Sequence, residues 1–363
     1  MDLNSILSEA VIKKPQSKRA SSNFTMDINK LRRMGLNENV YGMAPGVLKV
    51  YEEEAKHGNL YGDFGGGPLK QALAEFYGGG LTPDNFDCGA GSSAMIEKLG
   101  GTFLNPGDEV LMCPTFAAFI DMATIRMAVP VIVPLKEDKG YDLDALAEAV
   151  TPKTKMIIVT NPNNPTGQCL KEKELLAFIE KIPKNVVIAF DEAYLEYSDD
   201  PEVKSMYPLI KKMPDRPIVV QKTFSKYYGM AGVRIGYAMA AEEIIAKMRT
   251  VPGSSLNRPG MYAAIQALKE QEYYKEACAK IIAGRTYIQD ELTKLGVTVY
   301  PSHTNFILFD AHRDYTKVRE MLIERGILIN NPMLNRVSVS TKEDNEYFIE
   351  CMKEILEILP VVE

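Results

Sequence analysis

The residues of this 363-residue chain best placed to do chemistry stand in short polar stretches, each directly after an apolar run. Q-K-T-F-S-K-Y-Y-G-M-A-G-V-R spans Gln221–Arg234 and follows Pro217-Ile-Val-Val220. In it Lys226 is an amine able to form a Schiff base. Arg234, eight residues on, can grip an anion beside Thr223 and Ser225. Gly229 and Gly232 let the chain turn close to a ligand, while Lys222 reads as an ordinary solvated lysine. Met156–Val159 leads into T-N-P-N-N-P-T-G, which carries Asn164, and Val186–Phe190 leads into Asp191-Glu-Ala-Tyr194. The segment Asp87–Gly91 leads into Ser92 and Ser93 at the start of a helix.

Each stretch also has a plainer reading. N-P-N-N-P-T-G is a good turn on composition alone. Asp191 can be a helix cap, and Gly89-Ala-Gly-Ser-Ser93 a tight turn with a Ser cap. A lysine such as Lys226 is more often solvated than catalytic. What joins the stretches is the element pattern that must position them. Helical periodicity at Leu69–Tyr77, Ala94–Phe103, Ala117–Arg126, Leu143–Val150 and Lys171–Glu180 alternates with apolar runs at Val110–Met112, Val131–Val133, Met156–Val159, Val186–Phe190 and Ile218–Val220. Short β-branched runs in such alternation predict a mainly parallel α/β sheet buried on both faces. Ligands gather at the carboxyl ends of such strands, and all four polar stretches end at that edge. A helix N-terminus with Ser92, Ser93, Thr223, Ser225 and Arg234 suits a phosphate. A buried Asp191 suits a protonated ring nitrogen, and Asn164 and Tyr194 can donate to a phenolate oxygen. With an imine-forming lysine, those needs are the needs of pyridoxal 5'-phosphate.

After about residue 255 the pattern changes. A long helical region, Tyr262–Leu295, precedes Asn305–Phe309, Ile327–Ile329 and the alternating Arg336-Val-Ser-Val-Ser340, which read as strands of a smaller sheet. A final helix, Asn345–Leu359, is stopped by Pro360. Residues 1–50 are expected to form an N-terminal arm and part of a small domain, with polar Lys13–Thr25 as an arm or linker. Residues 51–255 are expected to be the large domain and 256–363 a small α+β domain.

Bulk composition is that of a globular chain, with 46% apolar and 25% charged residues. A formal net charge of −6 argues against nucleic acid as a partner. Five scattered cysteines without a C-x-x-C pair, and three histidines with no ligand spacing, predict no metal site and suit a reducing cytoplasm. No apolar run approaches a membrane span of about 18 residues, and Met1–Ala10 lacks a signal-peptide pattern.

The ordered series N-P-x-N-P-T-G, D-E-A-Y and S-K-x-x-G-x-A-G-x-R-x-G resembles class I/II aminotransferases of fold type I. Within them it is most similar to the histidinol-phosphate aminotransferase subgroup, through Leu36-Asn-Glu-Asn-Val-Tyr-Gly42, Leu60-Tyr-Gly-Asp63, F-L-N-P-G-D-E-V at 103–110 and T-F-S-K. The resemblance runs from about residue 36 to 359. It implies a large domain with a mainly parallel, seven-stranded-type sheet. It also implies Lys226 as the cofactor-bearing lysine and proton shuttle, Asp191 on the pyridine nitrogen, and Asn164 and Tyr194 on the ring oxygen. Ser92, Ser93, Phe116, Thr223, Ser225 and Arg234 complete the cofactor site. Tyr61 would reach the cofactor of a neighbouring subunit, so a homodimer with shared active sites is implied. Arg336 would hold a substrate α-carboxylate, with Asn37, Tyr41 and Asn330 as further substrate contacts. The implied reaction moves an amino group from an amino donor to a 2-oxo acid.

One departure bears on the substrate. The subgroup typically carries an arginine shortly after G-I-L-V, and here Gly326-Ile-Leu-Ile329 is followed by Asn330-Asn331. Arg258 is a candidate replacement only if its loop faces the pocket. An aminotransferase for aromatic or other free amino acids, and a decarboxylase such as threonine-phosphate decarboxylase, stay open as alternatives. A non-catalytic cofactor-sensing domain is disfavoured by the acidic balance.

Overall fold

The computed structural model of the chain describes residues 6–13, 30–63, 65–253 and 255–362. Lys13 closes the short helix Glu9–Lys13, and most of the expected linker Lys13–Thr25 lies outside the described residues. The strands are β1 (Arg32–Arg33), β2 (Phe86–Gly89), β3 (Glu109–Met112), β4 (Val129–Ile132), β5 (Thr154–Thr160) and β6 (Val187–Asp191). They continue with β7 (Ile218–Thr223), β8 (Gly236–Ala240), β9 (Thr298–Val299), β10 (Phe306–Asp310), β11 (Ile327–Leu328) and β12 (Asn335–Ser338).

A seven-stranded sheet runs β2-β8-β7-β6-β5-β3-β4. Its pairs from β7 to β4 are parallel, and β8 lies antiparallel to both β7 and β2. The expected α/β fold with a mainly parallel sheet is the fold observed. Strands β6 and β7 are buried along their whole length because side chains alternate into two cores. Ile188, Phe190 and Val220 enter one core, while Val187, Ala189 and Val219 enter the other. Met95, Ile96 and Leu99 of helix Ser92–Phe103 are buried in that second core. At about 1.5–3 kcal/mol per buried side chain, that stripe fixes the position of the helix start, where the two serines stand.

Four expectations change. Ile327–Leu328 does not join the smaller sheet, which is β12-β10-β9; it pairs in parallel with Arg32–Arg33. The single helical region Tyr262–Leu295 is two helices, Arg258–Ala267 and Gln271–Lys294. Lys222 is not solvated. It stands on the face of β7 turned away from the serine-bearing helix and is only 5% exposed. Its Nζ lies 2.5 Å from Glu196 and 3.7 Å from Glu192. Burial works against its charge, but the two carboxylates hold its pKa well above the ordinary lysine range. The final helix, Lys342–Ile358, starts earlier than expected because the Thr341 hydroxyl caps it, accepting from the Asp344 N–H at 3.2 Å.

Candidate active site

The carboxyl ends of the parallel strands open on one cavity of about 690 Å³. Register puts the polar groups side by side there: Thr160 pairs with Asp191, and Asp191 with Gln221. Thr223 pairs with Gly236, which brings Arg234, just before β8, to the same edge. Asn164, Asp191, Tyr194, Thr223, Ser225, Lys226, Arg234, Ser92, Ser93, Phe116, Arg336, Asn37 and Asn330 all line this cavity.

One end is built for an anion. Gly91 precedes the first turn of helix Ser92–Phe103 at φ +79°, with no side-chain cap. The N–H groups of that turn are the kind that hold phosphate. A Cβ on Gly91 would come within 2.3 Å of the Arg234 guanidinium, and one on Gly236 within 2.3 Å of the Ser92 nitrogen. Only glycine lets backbone, serine and arginine converge so closely. Arg234, itself at φ +62°, donates to Ser225 Oγ at 3.2 Å, and Ser225 Oγ accepts from Thr223 Oγ1 at 3.0 Å.

Further in, Asp191 is 5% exposed, and its Oδ1 accepts from the Ala193 N–H at 3.2 Å. Burial, with only that bond and the nearby Lys226 offsetting it, pushes the carboxyl up to about 7. Such a group is short of a cation, and a protonated ring nitrogen is one. The N-P-N-N-P-T-G loop divides its labour. Asn161 closes it by donating to the Leu170 carbonyl at 3.0 Å and accepting from the Leu170 N–H at 2.7 Å. Asn163 is fully buried and donates to the Pro114 carbonyl at 3.2 Å. Asn164 is the asparagine of the loop that lines the cavity. The residues present therefore fit pyridoxal phosphate in its anionic end, its ring nitrogen partner and its amine.

The other wall comes from the chain's distant ends. Residues 34–37 lie against β12: Ser338 N–H donates to the Met34 carbonyl at 2.7 Å, and Arg336 Nη2 to the Gly35 carbonyl at 3.2 Å. Lys226 Nζ donates to the Leu36 carbonyl at 2.9 Å and lies 5.5 Å from the centre of the Tyr194 ring. Asn37, at φ +55°, donates through Nδ2 to Tyr194 Oη at 3.0 Å. Arg336 is 6% exposed and hydrogen-bonded to Asn164 Oδ1, while its Nε has no partner among the described residues. Burial lowers its pKa from the ordinary arginine value. An unfilled guanidinium N–H in a buried site is what a carboxylate would complete.

The structure does not gather every candidate. Tyr61 is 83% exposed and lies outside the cavity wall of this single chain. Tyr41 also lies outside it, with its carbonyl accepting from Tyr273 Oη at 2.6 Å and Lys280 over its ring. Arg258 pairs with Glu54 at 2.6 Å and stacks on Tyr262, so it is not a substitute in the pocket. Ser338 and the Leu36 carbonyl escaped sequence reading. The alternation Arg336-Val-Ser338 carries the missing signal, since residues two apart share a strand face.

The fold and this cavity define a class. The family model of class I and II aminotransferases matches residues 31–352, and the chain belongs to that family. It is therefore an enzyme, an aminotransferase that works with pyridoxal phosphate. It is 34% identical to histidinol-phosphate aminotransferase 2 of Carboxydothermus hydrogenoformans, over 92% of this chain and 93% of that one. It is likewise 34% identical to the histidinol-phosphate aminotransferase of Brevibacillus brevis, over 91% of each. The structure of the histidinol-phosphate aminotransferase of Sinorhizobium meliloti in complex with pyridoxal-5'-phosphate superposes with a TM-score of 0.88 at 26% identity, covering 98% of both chains.

Proposed function

We propose that this cavity transfers the amino group of an α-amino acid or amine to a 2-oxo acid, with histidinol phosphate as the amine suggested by the names of the relatives. The observation that carries the proposal is the meeting of Asp191, Lys226, Arg234 and Arg336 on one cavity. When bound, pyridoxal phosphate supplies an aldehyde carbon and an electron-poor ring that draws charge from the carbon being deprotonated. Ser92, Ser93, Thr223, Ser225 and Arg234 would hold its phosphate. The buried Asp191 would keep its ring nitrogen protonated, and Asn164 and Tyr194 would donate to its ring oxygen. Phe116 walls the same cavity. Arg336 binds the donor carboxylate, and the Lys226 amine takes the α-proton and returns it during the exchange. Histidinol phosphate has no α-carboxylate, so Arg336 would serve the 2-oxo acid in its half-reaction.

A homodimer belongs to this proposal. Tyr61 and Leu60 stand exposed, and Tyr61 would complete the site of a second copy. The division at residues 50 and 255 is likewise proposed, because β9, β10 and β12 form a sheet apart from the seven-stranded one.

A second substrate reading has its own support. Among the described residues, Lys226, Arg234 and Arg336 are the cations of the cavity wall, and each already has an assigned ligand. Asn330 stands where a further arginine is expected, and Leu36, Ile120, Ile132 and Met333 line the same cavity. That wall favours an uncharged, apolar or aromatic side chain. A half-reaction screen tests both readings: glutamate, histidinol phosphate, phenylalanine and aspartate are each mixed with the holoenzyme, and the spectrum and products are followed. Conversion by glutamate with histidinol phosphate supports the first, and by phenylalanine in its place the second. Release of carbon dioxide in place of keto acid would overturn transamination.

A further inference from the structure

Ser338 has no part in the mechanism above, yet its buried hydroxyl makes two hydrogen bonds to one residue. It accepts from the Asn37 backbone N–H at 2.9 Å and donates to Asn37 Oδ1 at 3.0 Å. The amide's other end, Nδ2, is thereby turned to Tyr194 Oη, 3.0 Å away. The reversed amide would present Nδ2 to Ser338 and leave the serine proton without an acceptor at a site 1% exposed. The cost of a buried unpaired donor opposes that reversal. A phenol has one proton. Because Tyr194 Oη accepts from Asn37, its own proton points elsewhere, and no protein acceptor among the described residues takes it. The ring is held edge-on by Phe306 at 5.1 Å, and Tyr194 borders the cavity.

We propose that Ser338 is a positioning residue which, through Asn37, aims the Tyr194 proton into the cavity at an anionic oxygen of the bound cofactor. The proposal rests on the reading of Tyr194 as a donor to the ring oxygen. It also gives β12 two tasks, since Arg336 and Ser338 stand on one face of that strand: one grips the substrate and the other sets the tyrosine.

The test is a pH titration of the visible absorbance of the cofactor bound to the full-length enzyme. A donated hydrogen bond favours the anionic oxygen, so losing it keeps the proton on to higher pH. Ser338→Ala is expected to raise the midpoint by about 0.5–1 pH unit, and Ser338→Thr, which keeps the hydroxyl, to restore it. Asn37→Gly keeps the left-handed backbone and its N–H, removes only the amide, and is expected to give the same rise. It carries the test alone should Ser338→Ala fail to fold. Tyr194→Phe raises the midpoint at least as far, and adding Ser338→Ala to it changes nothing further. A normal midpoint in Ser338→Ala or Asn37→Gly, with a raised one in Tyr194→Phe, overturns the relay alone. So does a Ser338→Ala effect that persists undiminished in the Tyr194→Phe background. An unmoved midpoint in Tyr194→Phe overturns the donor reading and the relay together.

Discussion

Two clusters of charge lie back to back across the carboxyl ends of β6 and β7. On the cavity side are Asp191 and, just past β7, Lys226. On the opposite side are Glu192 and Lys222, each one residue along from a cavity-side neighbour. Behind the sheet every charge is answered. Glu192 accepts from Ser205 Oγ at 2.5 Å and from the Met206 N–H at 2.7 Å, and Lys222 lies between Glu192 and Glu196. On the cavity side groups are left open among the described residues: a carboxyl near neutrality, an unpartnered guanidinium N–H and a tyrosine proton with no protein acceptor. Buried polar groups are costly unless paired. The paired cluster thus holds the strand ends in place, and the incomplete one marks where a ligand completes the structure.

That contrast is broken most severely by exchanging the roles of the two lysines. Lys226→Ala should cut the glutamate half-reaction by at least ~10³-fold and remove the borohydride-reducible absorbance, with little change in thermal unfolding. Lys222→Met should do the reverse. It strands the buried Glu192 carboxylate and the half-buried Glu196, and about 3–5 kcal/mol of stability should be lost in denaturant titrations, while the assembled holoenzyme keeps its absorbance. An unchanged midpoint of unfolding would refute a structural role for Lys222.

Removing the cofactor sharpens the comparison next. The Asp191 carboxyl, held up to about 7 in the folded chain, has an ordinary value of 3.8 when unfolded. The unfolded chain releases that proton first, so its stability relative to the folded chain grows as pH rises. Cofactor-free protein should therefore lose up to roughly 4 kcal/mol between about pH 4 and about pH 7. Asp191→Asn should lack that part of the slope, and parallel melts of the two apoproteins measure it. The smallest effect expected is at Arg336. Arg336→Ala should raise the KM for glutamate by about 10–100-fold, the worth of a charge-assisted hydrogen-bond pair, and leave the unliganded spectrum in place. An unchanged KM would remove the carboxylate assignment.

Much of this was legible in the chain, for a local reason. The lysine, the arginine and the glycines of Gln221–Arg234 are contiguous, and strand ends deliver contiguous residues to one edge. Asp191 follows a β-branched strand and needs only that strand to be placed. What escaped reading depends on partners distant in sequence. Lys222 is buried because Glu196, 26 residues earlier, meets it behind the sheet, and nothing next to Lys222 announces that. Ile327–Leu328 has the composition of any short strand, and its partner Arg32–Arg33 looks like charged surface. Strand β8, G-Y-A-M-A, lacks β-branched residues and went unread. The break between the two helices at Leu268–Glu270 carries neither Gly nor Pro.

The clasp between Asn37 and Ser338 joins residues 301 positions apart. On a ribosome, which extends a chain by about 5–20 residues per second, Asn37 emerges many seconds before its partner exists. The strand that ends in Asp191 and the one that leads into Lys226 are complete well before then. A nascent chain can therefore form its sheet and cofactor seat early, yet the tyrosine acquires its orientation only when the last part of the sequence arrives, so competence is a late event in the life of each molecule.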